Sequence, residues 1–221
     1  DFPAATLHET IPQFHDTPNR YAQLDAAIAA DVKGRLKEVG PEIDFVMARR
    51  EEAATMMNML KAGELPLRVT HNDTKLNNVM LDAKTRKPLC VIDLDTVMPG
   101  LAMNDFGDAI RFGASTALED EKDLSKVSCD MELYEIYVKG FLESCGDKLN
   151  AREIEMLPMG AKVMTYECGI RFLTDYLEGD HYFKIDREDH NLDRCRTQFK
   201  LVADMEQKWE QMQAIVKKYQ K

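Results

Sequence analysis

Hydrophobic residues recur at two different spacings along this chain, and the change of spacing divides it into three stretches. Over residues 21–39, Leu24, Ile28, Val32 and Leu36 recur every four residues, which predicts an amphipathic helix stopped by Gly40-Pro41. A second helix is predicted over 42–61 on Phe45, Met56 and Leu60, with Gly63 closing it. Pro12 and Pro18 mark the preceding segment as an irregular opening loop. Then the spacing shortens. Leu67, Val69 and Thr70 predict a strand, as do 79–81 and 89–92, and the polar stretch 82–88 makes the last two a small hairpin. Beyond Pro99-Gly100 helices return. One is predicted over 130–145, and a short one is capped by Asn150 with Glu153 three residues on. A long one begins at Pro158 and runs to about Glu178, apolar on more than one face and therefore the expected central buried helix. A last one runs from Asn191, with Cys195, Phe199, Val202, Met205, Trp209, Met212 and Val216 as a core stripe. The predicted class is α+β, mostly helical.

Composition narrows the function classes. A hydrophobic fraction of 44% in 221 residues is ample for a core. The formal net charge of -10 disfavours a broad nucleic-acid footprint, which needs a basic surface. It leaves room for a phosphorylated small molecule, because a local cation or magnesium reverses the field within one cleft. Five cysteines (Cys90, Cys129, Cys145, Cys168 and Cys195) contain no C-x-x-C pair. That argues against a disulfide scaffold or structural zinc and for reduced thiols. No apolar run approaches the roughly 20 residues of a membrane span, and no basic-then-apolar leader is visible. The expectation is a cytoplasmic protein without membrane or nucleic-acid partners, monomer favoured. The first residue is Asp1, not Met, so the chain is read as a fragment of something longer.

The densest chemistry lies in His71-Asn72-Asp73-Thr74-Lys75-Leu76-Asn77-Asn78 and in Val91-Ile92-Asp93-Leu94-Asp95. Each cluster abuts a predicted strand, where a carboxylate is held rigidly. Folding the hairpin back brings Asp93 toward Asn78. Two carboxylates and an amide oxygen then face one pocket, the hard oxygen set that magnesium favours. Phosphoryl transfer needs one carboxylate to orient the attacking hydroxyl and further oxygens to fix the metal. Asp73 takes the first role, and Asn78 and Asp93 the second. The bland alternative, a turn rich in hydrogen-bonding side chains, suits an isolated D-x-x-x-x-N better than it suits H-x-D-x-x-x-x-N, strand, turn, strand and I-D-x-D together.

These residues resemble the catalytic and metal-binding loops of the aminoglycoside phosphotransferase and choline kinase-like family. His71, Asp73, Asn78 and Asp93 match its pattern one by one. The strings HNDTKLNNVM, VIDLDTVMPG, NDFGDAIRFG and HNLDRCRTQF are most similar to the N-acetylhexosamine 1-kinase branch. The resemblance implies a protein-kinase-like fold, ATP as phosphoryl donor with Mg2+, and transfer to the anomeric hydroxyl of N-acetylglucosamine or N-acetylgalactosamine. Such kinases also have an N-terminal, mostly sheet lobe with a Gly-rich loop and a phosphate-pairing lysine. No part of this sequence resembles it. Residues 1–221 are therefore expected to be the C-terminal lobe, with 1–66 as leading loop and helices, 67–113 as catalytic and metal loops and 114–221 as helical substrate-binding part. The missing N-terminal lobe is then a partner, and the isolated chain is expected to turn over weakly or not at all. Kinases of aminoglycosides, choline or homoserine share the loop and stand as alternatives, as does a non-catalytic kinase-like binding module.

Lesser candidates carry two readings each. His71 supports the loop by hydrogen bonds or acts in catalysis. Lys75 steadies the transferring phosphate or is a solvated lysine. Asp95 is a metal ligand or a carboxylate behind one. Asp105 braces the loop around Asp93 or caps toward Arg111, and Asp108 pairs with Arg111 three residues on. Arg171 interrupts an apolar helix, so it contacts substrate or is neutralised by Glu167 and Asp175, one turn away on either side. Tyr182, His190 and Arg194 are further substrate candidates. By resemblance, Arg171 and Tyr182 match sugar-contacting positions. Asn191 is read as a helix cap, and His8 and His15 receive no role.

Overall fold

The structure is a computed structural model that describes residues 2–220. Asp16 accepts from the backbone N–H of Asn19 and Pro18 occupies the first turn, so helix α1 (Thr17–Ala30) starts earlier than its periodicity suggests. It also stops earlier. Asp31 turns left-handed (φ 37°) and its carboxylate accepts from Leu36 N–H, which leaves Val32 exposed in a turn. The predicted second helix is three: α2 (Gly40–Met47), α3 (Arg50–Ala53) and α4 (Thr55–Lys61). The end of α2 is fixed by the core itself. The hydroxyls of Tyr21 and Tyr166 both donate to the Val46 carbonyl, at 2.8 and 2.7 Å.

Strand β1 (Arg68–Thr70) does not pair with the hairpin. The hairpin is β2 (Val79–Leu81) with β3 (Pro88–Val91), closed by a turn in which Asp82 accepts from the N–H groups of Lys84 and Thr85. The partner of β1 is β4 (Met98–Gly100), in antiparallel register from Arg68 opposite Gly100 to Thr70 opposite Met98. Pro99-Gly100 reads in the sequence as a breaker, so β4 was not expected. Pro99 has no N–H to give, but in a three-residue edge pair that costs little.

Helices complete the chain: α5 (Ala102–Gly113), α6 (Met131–Cys145) capped by Asp130, α7 (Ala151–Glu155) with the expected capping box, and α8 (Leu157–Glu178). Then come α9 (His190–Gln207) and α10 (Trp209–Tyr219). The single last helix of the sequence reading is broken at Lys208. Its ammonium bonds Asp204, Ser128 and the Cys129 carbonyl, and the chain bends around that anchor. Trp209 leaves the core stripe and lies half-buried with the Lys162 ammonium 4.7 Å over its ring.

As its two apolar faces predicted, α8 is buried nearly throughout. Its first half packs with Phe106, Tyr134 and Met205, and its second half with Leu24, Val46 and Val202. The helices α5 and α8 touch backbone to backbone. A Cβ on Gly107 would collide with the Gly160 carbonyl, and one on Gly160 with that of Met103. That contact fixes α5, and α5 carries Asp105.

Candidate functional site

Because β1 pairs with β4, residues 71–97 form an excursion whose two ends lie side by side. The root of that excursion is stitched by polar side chains. Thr70 Oγ1 donates to the Met98 carbonyl at 3.0 Å, Asn72 Nδ2 to the Thr96 carbonyl at 3.0 Å, and Thr96 Oγ1 to the His71 carbonyl at 2.7 Å. Gly100 is required here, since a Cβ would overlap Thr70 Oγ1. Asp105 receives the backbone N–H of His71 (2.8 Å) and of Asn72 (2.7 Å). Burial pushes its carboxyl up, against the pull of these donors. Asp105 therefore braces the loop that carries Asp73 rather than the loop around Asp93, which corrects the sequence expectation.

Asn72 is left-handed (φ 65°), and the chain turns through it into Asp73. Asp73 Oδ2 accepts from Asn78 Nδ2 at 2.8 Å and from Lys75 Nζ at 2.7 Å. Its Oδ1 makes no hydrogen bond among the described residues. His71 Nε2 lies 3.0 Å from the Ile92 carbonyl, and its Nδ1 accepts the Asp73 N–H at 3.3 Å. The ring thus ties the loop that carries Asp73 to the segment that returns to Asp93. The Ile92 N–H donates to the Asn78 carbonyl at 2.9 Å, which sets the Asp93 backbone beside Asn78 as the hairpin predicted.

Asp93 is itself left-handed (φ 64°), and Asp93 and Asp95 are exposed with no side-chain hydrogen bond among the described residues. Asn78 spends its Nδ2 on Asp73, so its Oδ1 stays available to a cation. No three His, Cys, Asp or Glu side chains cluster as a metal set among the described residues. This donor set fits magnesium, which takes one or two protein oxygens and completes its shell with phosphates and water.

Beside Asp73 opens a cleft of about 480 Å³. Phe14, Phe172, Tyr182 and Phe183 give it aromatic walls, and Lys75, Arg111, Arg171, Lys184 and Arg194 line it too. Arg111 is held by Asp108 at 2.9 Å and by Glu119 at 2.6 Å, so the expected pairing with Asp108 is present. Arg171 is different. Neither neighbour pairs with it: Glu167 contacts His15 and Thr17, and Asp175 accepts from the backbone of residues 181–183 and from Asn191. The Arg171 guanidinium lies 5.4 to 5.6 Å from the rings of Phe14, Tyr182 and Phe183 and donates to the Tyr182 hydroxyl at 3.4 Å. Arg194 reaches the cleft across the Phe172 ring, anchored on the Lys184 carbonyl. Burial pushes the Cys168 thiol on the wall up to about 12, so it offers no nucleophilic thiolate.

Other candidates fall elsewhere. His190 does not line the cleft; it is buried, accepts the Asp186 N–H and bonds Asp120 at 3.1 Å. Asn191 is not a cap either, since its amide donates to Asp175 and Asp180. His15, given no role from its irregular surroundings, lies behind the loop, against Asn72 and Glu167. Its only sequence signal was a histidine just ahead of a capping aspartate.

A kinase-like loop braced on a helical body, with an open cleft at its carboxylate, defines a phosphotransferase class of protein. The chain belongs to the phosphotransferase enzyme family, whose model matches residues 4–131, more than half of the 221. Among the described residues no helix is long and apolar enough to cross a membrane, and the five cysteines are unbridged.

Proposed function

We propose that this phosphotransferase moves the γ-phosphate of ATP to the anomeric hydroxyl of an N-acetylhexosamine, giving the sugar 1-phosphate. The observation that carries phosphoryl transfer is the divided use of Asp73. One carboxylate oxygen is anchored by Asn78 and Lys75, and the other is unbonded in a residue that lines the cleft. A carboxylate fixed at one oxygen and open at the other aligns an alcohol and takes its proton as the alcohol attacks. Asn78 and Asp93, with Asp95 nearby, would hold Mg2+, which when bound neutralises charge on the phosphates. Lys75 lies where it can shift from Asp73 to a transferring phosphate. His71 keeps the loop and the Asp93 segment in step.

The cleft also bears on the acceptor. Aromatic faces with scattered donors suit a neutral sugar ring. Arg171 offers N–H donors that no carboxylate occupies, Tyr182 offers its hydroxyl, and Arg194 stands across the ring of Phe172. Five cations line the cleft; Lys75 is paired with Asp73 and Arg111 with Asp108 and Glu119, which leaves Arg171, Lys184 and Arg194 without a carboxylate among the described residues. Such a wall repels a polycationic aminoglycoside or a quaternary ammonium acceptor and favours a neutral one that leaves as an anion.

The hairpin rim exposes Met80, Leu81, Leu89, Val91, Ile92 and Leu94. We read this apolar rim as the face toward the nucleotide and a nucleotide-binding lobe, which makes residues 1–221 the catalytic and substrate-binding half. ATP chemistry and unbridged cysteines support a cytoplasmic location on this reading. The test is to give the complete natural protein ATP, magnesium and a panel of free sugars, then locate phosphate by phosphorus NMR. Phosphate at C1 of an N-acetylhexosamine supports the proposal. Phosphate only on another alcohol, or none, overturns it.

A further inference from the structure

The opening segment reaches the catalytic loop through one ring. His15 Nε2 lies 2.9 Å from the Asn72 carbonyl oxygen, and its Nδ1 lies 2.8 Å from Glu167 Oε1. A carbonyl has no proton to give, so Nε2 carries one and donates. Nδ1 faces a carboxylate whose other oxygen already accepts the Thr17 hydroxyl at 2.9 Å. A neutral imidazole has a single N–H, so this arrangement needs one proton more, between ring and carboxylate. Burial disfavours an ionised Glu167, but the His15 ring first, and then Arg20 on α1 and Arg171 on α8, outweigh it and hold the carboxyl below its usual range, so the shared proton sits on the ring.

We propose that His15 is a positioning residue of the catalytic loop: as a buried imidazolium it ties Glu167 of α8 to the Asn72 carbonyl and so sets the backbone that delivers Asp73. The two side chains are 7% and 1% exposed, so neither charge has water to fall back on if the other is removed. Asn72 is held from three sides, its N–H by Asp105, its side chain by Thr96 and its carbonyl by His15. Asp73 is one peptide farther on, and a turn of that peptide moves the base.

The charged groups facing the ring are Glu167 and Arg171 from α8, Asp105 from α5, and Arg20 from α1 through Glu167; Asp16, next in sequence, gives its carboxylate to the Asn19 N–H. Burial works against the charged ring, but the Glu167 carboxylate outweighs it, so His15 titrates above the ordinary imidazole value.

The first test needs no activity. In the ¹⁵N-histidine-labelled chain, NMR should find both nitrogens of His15 protonated above pH 6.5, where a free imidazole has lost its charge. Protection of the 71–78 amides, corrected for intrinsic exchange, should fall about tenfold as His15 deprotonates, while α8 amides keep theirs. Glu167→Gln, an isosteric change, should return His15 to a neutral tautomer and loosen the same amides. In the complete natural enzyme, His15→Ala should lower kcat by about 10- to 100-fold with KM for ATP within about twofold, and His15→Gln, which keeps a donor toward Asn72, should recover part of it. A neutral His15 at pH 6, or loop protection indifferent to its titration, overturns the proposal whatever the acceptor of the kinase proves to be.

Discussion

The two sides of the catalytic loop are built differently. Behind it, Asn72, Thr96 and Asp105 match each polar group with a partner, and His15 and Glu167 close the set in near-complete burial. In front, the β2–β3 hairpin exposes its apolar side chains, and the turn after it exposes the carboxylates of Asp93 and Asp95. The difference separates two tasks. On the proposed function, the helical body fixes the base in advance, while the half proposed for metal and nucleotide is left to be completed by what binds there. Preorganisation of this kind puts the folding free energy of the body behind the geometry of one carboxylate.

The contrast can be broken or sharpened by substitution, and the largest effect is expected at the junction itself. Asp73→Asn should lower kcat of the complete enzyme by about 10² to 10⁴-fold while the unfolding midpoint hardly moves, since an amide still accepts from Asn78. A small change in kcat would remove Asp73 as base. Next, Gly107→Ala should destabilise the chain by about 3 kcal/mol in urea unfolding, the upper end for overpacking, because the obstacle is Gly160 backbone and not a flexible side chain. Asp105→Ala strands two N–H groups and should cost about 2 kcal/mol, with a fall in kcat that Asp105→Asn partly restores.

The pH dependence follows from the buried pair. The raised His15 contributes stability that is fully present below its ordinary value of 6.5 and lost as pH rises through the raised one. The depressed Glu167 contributes stability present above 4.5 and lost as pH falls through its lowered value. These are two edges of one interaction. The stability difference between wild type and Glu167→Gln should therefore be flat from 4.5 to 6.5 and shrink outside that window, as thermal unfolding across pH will read. The smallest effect is expected in front. Leu89→Ser, at a residue 62% exposed, should change chain stability by less than about 0.5 kcal/mol. If it costs as much as Asp105→Ala, the hairpin is not the open half.

The reading of sequence against structure divides along the same line. The hairpin, the loop between its ends and the return of Asp93 toward Asn78 were legible because they lie within about two dozen residues and are built from strand periodicity and turn chemistry. The long buried α8 and the capping box of Asn150 were legible for the same local reason. The breaks in the predicted helices were not. They are set by Asp31 reaching Leu36, by two tyrosines converging on Val46, and by Lys208 reaching Ser128.

By itself the sequence pointed to the candidate groups, because His71, Asp73, Asn78 and Asp93 occur at spacings that one hairpin folds together. Only the tertiary structure decided what holds them: β4 beside β1, Asp105 under two amides, His15 against Glu167, and Arg171 among rings without a carboxylate. The reason is distance along the chain. Periodicity and caps act over a few residues, while the partner of His15 lies 152 positions away and is chosen by how α1 and α8 pack.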